Sequence, residues 1–89
     1  MDKAAFLQVT RAIVEGFEAA DFKAAMAAAQ QRGDVGQLVA LPMAVQERAF
    51  AVVGLDAAGG TAEFKAAGRQ FGLDADVATL LARMKAALA

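Results

Sequence analysis

Eighty-nine residues make one domain, and 58% of them are apolar, but 25 are alanine. His, Cys, Trp, Tyr, Ser and Asn are absent, which removes a Ser-His-Asp triad, a Cys nucleophile, a tyrosine acid, a zinc or iron site and a disulfide framework by inventory. Nine basic against ten acidic side chains leave a net charge of −1, too even for a nucleic-acid or anionic-membrane partner to be read from charge.

Alanine at this density, a single proline and strongly periodic large residues predict helices throughout. The first runs from Asp2, a cap, to about Glu15, with Phe6, Val9 and Ile13 on one stripe that Leu7 and Val14 widen; Gly16 is placed to end it in a left-handed cap. A second runs from Phe17 or Glu18 to Arg32 and stops at Gly33. Asp34 caps a third segment through Val35, Leu38 and Val39, where Pro42 either kinks the helix or opens a separate one reaching Val53. Gly54 and Gly59-Gly60 bound a loop, and Thr61 with Glu63 caps a fourth helix that ends at Phe71 and Gly72. Asp74 or Asp76 caps the last helix, whose face Val77, Leu80, Leu81, Met84 and Leu88 is continuous. The expected fold is an all-α bundle of five short helices, or six if Pro42 separates two.

Displacing the chain by 42 residues aligns 20–40 with 62–82 at 9 identities in 21, four of them Ala on Ala. The other five keep Phe, Lys, Asp-Val and Leu in order: Phe22 on Phe64, Lys23 on Lys65, Asp34-Val35 on Asp76-Val77, Leu38 on Leu80. This predicts a duplicated helix-turn-helix unit in which each Phe packs on the helix that follows.

Three polar patterns suggest chemistry. Asp56 to Phe64 has the outline of an EF-hand calcium loop, yet Ala58 and Gly60 stand where oxygen ligands belong, so a metal-free relative is the most that pattern supports. Ala66-Ala67-Gly68, Gly72-Leu73 and Val77, Leu80, Leu81 follow a DNA-binding helix-turn-helix pattern. Lys65, Arg69, Arg83 and Lys85 supply a modest basic patch, diluted by Asp74 and Asp76. The carboxylate pairs Glu15/Glu18 and Asp74/Asp76 sit at expected helix ends, where capping explains them.

Small residues carry the remaining signal. Ala75, Ala78, Ala82, Ala86 and Ala89 form a stripe beside the large face of the last helix, flanked by Arg83 and Lys85. Such a stripe either docks another chain or packs on Gly68 and the second helix; Gly68 inside a helix suggests a close backbone approach. The start Met1-Asp2-Lys3-Ala4 shows no signal peptide, and the longest uncharged run, Val35 to Gln46, is too short to span a bilayer, which favours an intracellular setting. The expected function is a non-catalytic interaction module, a small subunit of an assembly or a homo-oligomer, with no cofactor. The candidate face is Ala75, Ala78, Ala82, Arg83, Lys85 and Ala86. The alternatives are a small DNA- or RNA-binding protein and the metal-free EF-hand-like regulator.

Overall fold

Three carboxylates set helix starts by accepting amides that have no partner in a first turn. Asp2 Oδ1 accepts the Ala5 N–H at 2.8 Å, Asp34 Oδ1 that of Gln37 at 3.1 Å, and Asp56 Oδ1 that of Gly59 at 2.7 Å. The computed structural model describes residues 1–88 as α1 (Lys3–Glu18), α2 (Ala20–Arg32), α3 (Val35–Val52), α4 (Ala57–Phe71) and α5 (Ala75–Leu88). No strand occurs among the described residues. Ala89, the last member of the alanine stripe, lies outside them.

α1 is the hub. Phe6, Val9, Thr10, Ile13, Val14 and Phe17 are all buried, a continuous arc that every other helix uses. The Thr10 hydroxyl, fully buried, donates to the Phe6 carbonyl at 2.7 Å, so the arc holds no orphaned polar group. α2 and α3 pack on α1 and on each other, while α4 and α5 are each seated on α1. Lys3 meets Asp74 and Asp76, and Glu18 meets Arg83, so α5 runs parallel to α1. The thinnest dimension is 18 Å, room for two layers of helices about 10 Å across.

The core falls into two neighbouring groups. Val9, Ile13, Phe17, Phe22, Val45, Ala49 and Phe50 form one; Phe6, Ala67 and Val77 form the other. Phe64 bridges them, its ring 5.0 Å from Phe6 and 5.9 Å from Phe50. Phe22 stacks on Phe17 at 5.1 Å. Phe22 and Phe64, which the 42-residue displacement aligns, each set a ring against a phenylalanine of α1, but the valines aligned with them differ, Val35 being 69% exposed and Val77 fully buried.

Several sequence expectations change. Gly16 does not end α1, which continues to Glu18. A Cβ on Gly16 would come within 2.5 Å of Val45 Cγ1, so the glycine admits α3 and is needed inside the helix. α2 consequently begins at Ala20, without a side-chain cap, and stops as expected at Gly33, which is left-handed at φ 64°. The same logic removes the Gly59-Gly60 loop. A Cβ on Gly60 would fall into the Phe50 ring, and Gly60 lies buried in the opening turns of α4. Asp56 caps that helix in place of Thr61, whose hydroxyl instead donates to the Ala57 carbonyl at 2.7 Å. Pro42 lies within a single α3, so the described residues form five helices. Burial of Val45, Ala49 and Phe50 holds that helix together despite the missing amide. Gly68 receives no neighbouring backbone: nothing lies within 4 Å of where its Cβ would stand. On α5 the buried centre is Val77 and Leu80; Leu81 and Met84 are half-buried, and Leu88 turns out to solvent.

Candidate functional site

The residues of the candidate face share one environment. Ala75, Ala78, Ala82, Arg83, Lys85 and Ala86 are all exposed, because α5 meets α1 through Val77 and Leu80 on its other side. The stripe does not pack on Gly68. Near the end of α5, Ala86 of the stripe and Leu88 line a cleft of about 270 Å³ together with Phe22, Met26 and Ala27 of α2.

Ion pairs fix α5 on α1 at two heights. Asp74 leads the helix: its carbonyl accepts the Ala78 N–H at 2.8 Å, and its carboxylate takes Lys3 Nζ at 3.0 Å. Asp76 shares the same ammonium at 3.3 Å while accepting its neighbour's amide, Val77 N–H, at 2.9 Å. Seven residues beyond Asp76, Arg83 grips Glu18 with two donors, Nη2 to Oε1 at 2.8 Å and Nε to Oε2 at 3.3 Å. The hydrogen bond from Arg83 holds the Glu18 carboxyl below its ordinary value, and the same bond raises Arg83. Hydrogen bonding to Asp74 raises Lys3. Arg83 therefore belongs to an internal clamp, and the basic patch of the helix-turn-helix pattern is reduced to Lys65, Arg69 and Lys85. The acidic pair expected to cap α5 instead anchors it to Lys3: Asp76 accepts only the adjacent Val77 amide.

The surface that sequence reasoning missed lies on α3. Val35, Val39 and Met43, spaced four apart on one helix, are 69%, 56% and 50% exposed. Gly36 and Ala40 beside them are exposed as well, and no charge interrupts the run before Glu47. A single exposed apolar residue needs no explanation; an aligned set on one helix does. Its sequence signal is the uncharged stretch Val35 to Gln46. No single described helix is long and apolar enough to cross a membrane. Leu73, fully exposed in the α4–α5 turn, stands alone.

Polar chemistry is sparse. Among the described residues no three acidic side chains gather as a metal-holding group, and no buried side-chain polar atom lacks a partner. From Ala57 onward the segment proposed as a calcium-type loop is helix. A second cleft, about 370 Å³, runs between α2 and α3 past Gly16, Leu41, Val45 and Arg48, with Asp21 and Arg48 as its charged lining residues. No protein-family model, curated protein or solved structure matches the chain.

Proposed function

We propose that this chain is a non-catalytic helical docking module, the small subunit of a homo- or hetero-oligomeric assembly, with α3 presenting the main contact surface and the alanine face of α5 a second. The observation that carries this reading is the aligned exposure of Val35, Val39 and Met43 on the first half of α3, a helix that is fully buried only further along, at Val45, Ala49 and Phe50. Apolar area removed from water stabilises association at roughly 25 cal/mol per Å², and the alanine face adds close approach at little side-chain entropy. The nucleic-acid alternative is weakened by the Arg83–Glu18 clamp and by the carboxylates at the head of α5. The same reading takes 20–40 and 62–82 as two copies of one helical unit; the contact of both Phe22 and Phe64 with a phenylalanine of α1 favours it, and the opposite burial of Val35 and Val77 counts against it.

The test is a photo-crosslinking residue placed singly at positions 39, 82 and, as a control on exposed α2 surface, 31. Adducts from 39 and 82 with none from 31 are expected, and they should persist in high salt, since apolar docking is not screened. Adducts from neither docking position, or binding to DNA that falls steeply with added salt, would overturn the docking assignment.

A further inference from the structure

We propose that the occupant of the α3 surface is a second copy of this chain, paired antiparallel about a twofold axis between Val39 and Ala40. The proposal rests on the docking reading of the same helix and names its partner. A twofold interface must be self-complementary, each residue meeting its mirror position on the other copy. The α3 surface meets that requirement in size and in charge.

In size, Gly36 and Met43 lie equally far on either side of the midpoint, so each Met43 would rest on the Gly36 of the other copy, with Val39 against Ala40. Gly36 has no role within its own chain that would demand a glycine. A Cβ there would meet only its own cap, Asp34 Oδ1, at 3.5 Å, an ordinary contact. A glycine in a helix disfavours the helix relative to alanine, so its presence at an exposed position fits a hole kept for an incoming side chain.

In charge, the two ends of the surface differ in sign: Arg32, the last residue of α2, stands at the head of α3, and Glu47 lies three turns along it. The Arg32 guanidinium is held at the head of α3, 3.9 Å from Asp34, whose carboxylate already accepts the Gln37 amide. Glu47 is exposed and makes no ion pair among the described residues. Arg48, its neighbour, lines the cleft toward α2 on another side of the helix. Antiparallel pairing brings Arg32 of each copy to Glu47 of the other and sets the two helix dipoles head to tail. A net charge of −1 adds little repulsion. One helical seam buries less than the roughly 800 Å² per partner of a standard interface, so the dimer is expected to be weak, with a Kd of about 10–500 μM.

Sedimentation of the full chain from about 10 μM to about 1 mM covers that range. The wild type is expected to shift from monomer to dimer. Met43→Asp should abolish the dimer and leave the monomer's thermal midpoint unchanged. Gly36→Ala should weaken the dimer several-fold without lowering that midpoint. Arg32→Glu and Glu47→Arg should each weaken it about tenfold, since two surface pairs per dimer become repulsive, and the combined reversal should restore it. A wild type monomeric throughout, or a double reversal that restores nothing, overturns the pairing. A dimer broken by Ala82→Glu but not by Met43→Asp also overturns it, moving the interface to α5. In both the monomeric and the α5 outcomes, adducts with other proteins from position 39 or 82 would leave the docking reading standing.

Discussion

Three glycines lie at comparable positions inside helices, and only their neighbours tell them apart. Alanine at Gly16 gains up to about 1 kcal/mol of helix propensity but meets Val45, and the cost of overpacking, about 1–3 kcal/mol, should prevail. At Gly60 the new methyl would enter the Phe50 ring, and the loss should reach or exceed the upper end of that range. At Gly68 there is open space, so Gly68→Ala should stabilise by up to about 1 kcal/mol. Urea denaturation of the three variants checks the order; equal effects would mean that the close approaches at Gly16 and Gly60 do not exist. Phe22 and Phe64 make a second comparison. Phe22, 8% exposed, should lose about 3–5 kcal/mol on truncation to alanine, and half-buried Phe64 somewhat less. A nearly silent Phe64→Ala would detach it from the two core groups it bridges and remove the support it gives the repeat.

At the scale of elements, α5 is held to α1 by apolar packing between two ionic contacts, and these titrate in opposite senses. Because the folded chain holds Glu18 below its ordinary value, that pair stabilises the fold above the ordinary carboxylate range, and the contribution disappears as pH falls through the folded-state value. Lys3 is held above its ordinary value, so its contribution is present below that value and disappears as pH rises through the raised one. Thermal midpoints should therefore be flat through neutral pH and decline at both extremes. Glu18→Gln should flatten part of the acid limb and leave the alkaline limb alone; an unchanged acid limb would show that the clamp contributes nothing in solution. The outward face of α5 should be permissive. Ala82→Glu is expected to move the monomer's thermal midpoint by no more than other exposed substitutions, within about 0.5 kcal/mol, and a collapse would place the stripe inside the core.

Across the whole molecule, a two-layer arrangement around one helix explains why so alanine-rich a chain folds. The buried large side chains are concentrated on α1, and buried Ala29, Ala49 and Ala67 let the surrounding helices approach closely. The same geometry buries α3 at Val45, Ala49 and Phe50 and leaves its first half, residues 35–44, without a fully buried residue. A domain of this size buries only about 60–65% of its unfolded surface, and covering the α3 stripe in an assembly would add to that.

Local chemistry was enough to read an all-helical chain, its Asp34 and Gly33 boundary and the apolar arc of α1, because capping, propensity and a 3.6-residue period act within a few neighbours; whether Pro42 splits α3 and whether the α5 stripe faces solvent stayed open. Composition alone also removed the common nucleophiles, since a side chain that is absent needs no structure to dismiss it. The glycines were misread for the complementary reason. Gly16 and Gly60 looked like helix ends, and what fixes them inside helices is Val45 and Phe50, each distant in sequence. Pairing of Lys3 with Asp74 and of Glu18 with Arg83 was likewise invisible, since capping accounted for the carboxylates locally. The α3 stripe differed again. Its residues are legible as an uncharged run, but Val39, Met43 and Phe50 share one face by helical spacing, and only the reach of the neighbouring helices, which cover Phe50 and leave Met43 bare, decides which of them meets solvent.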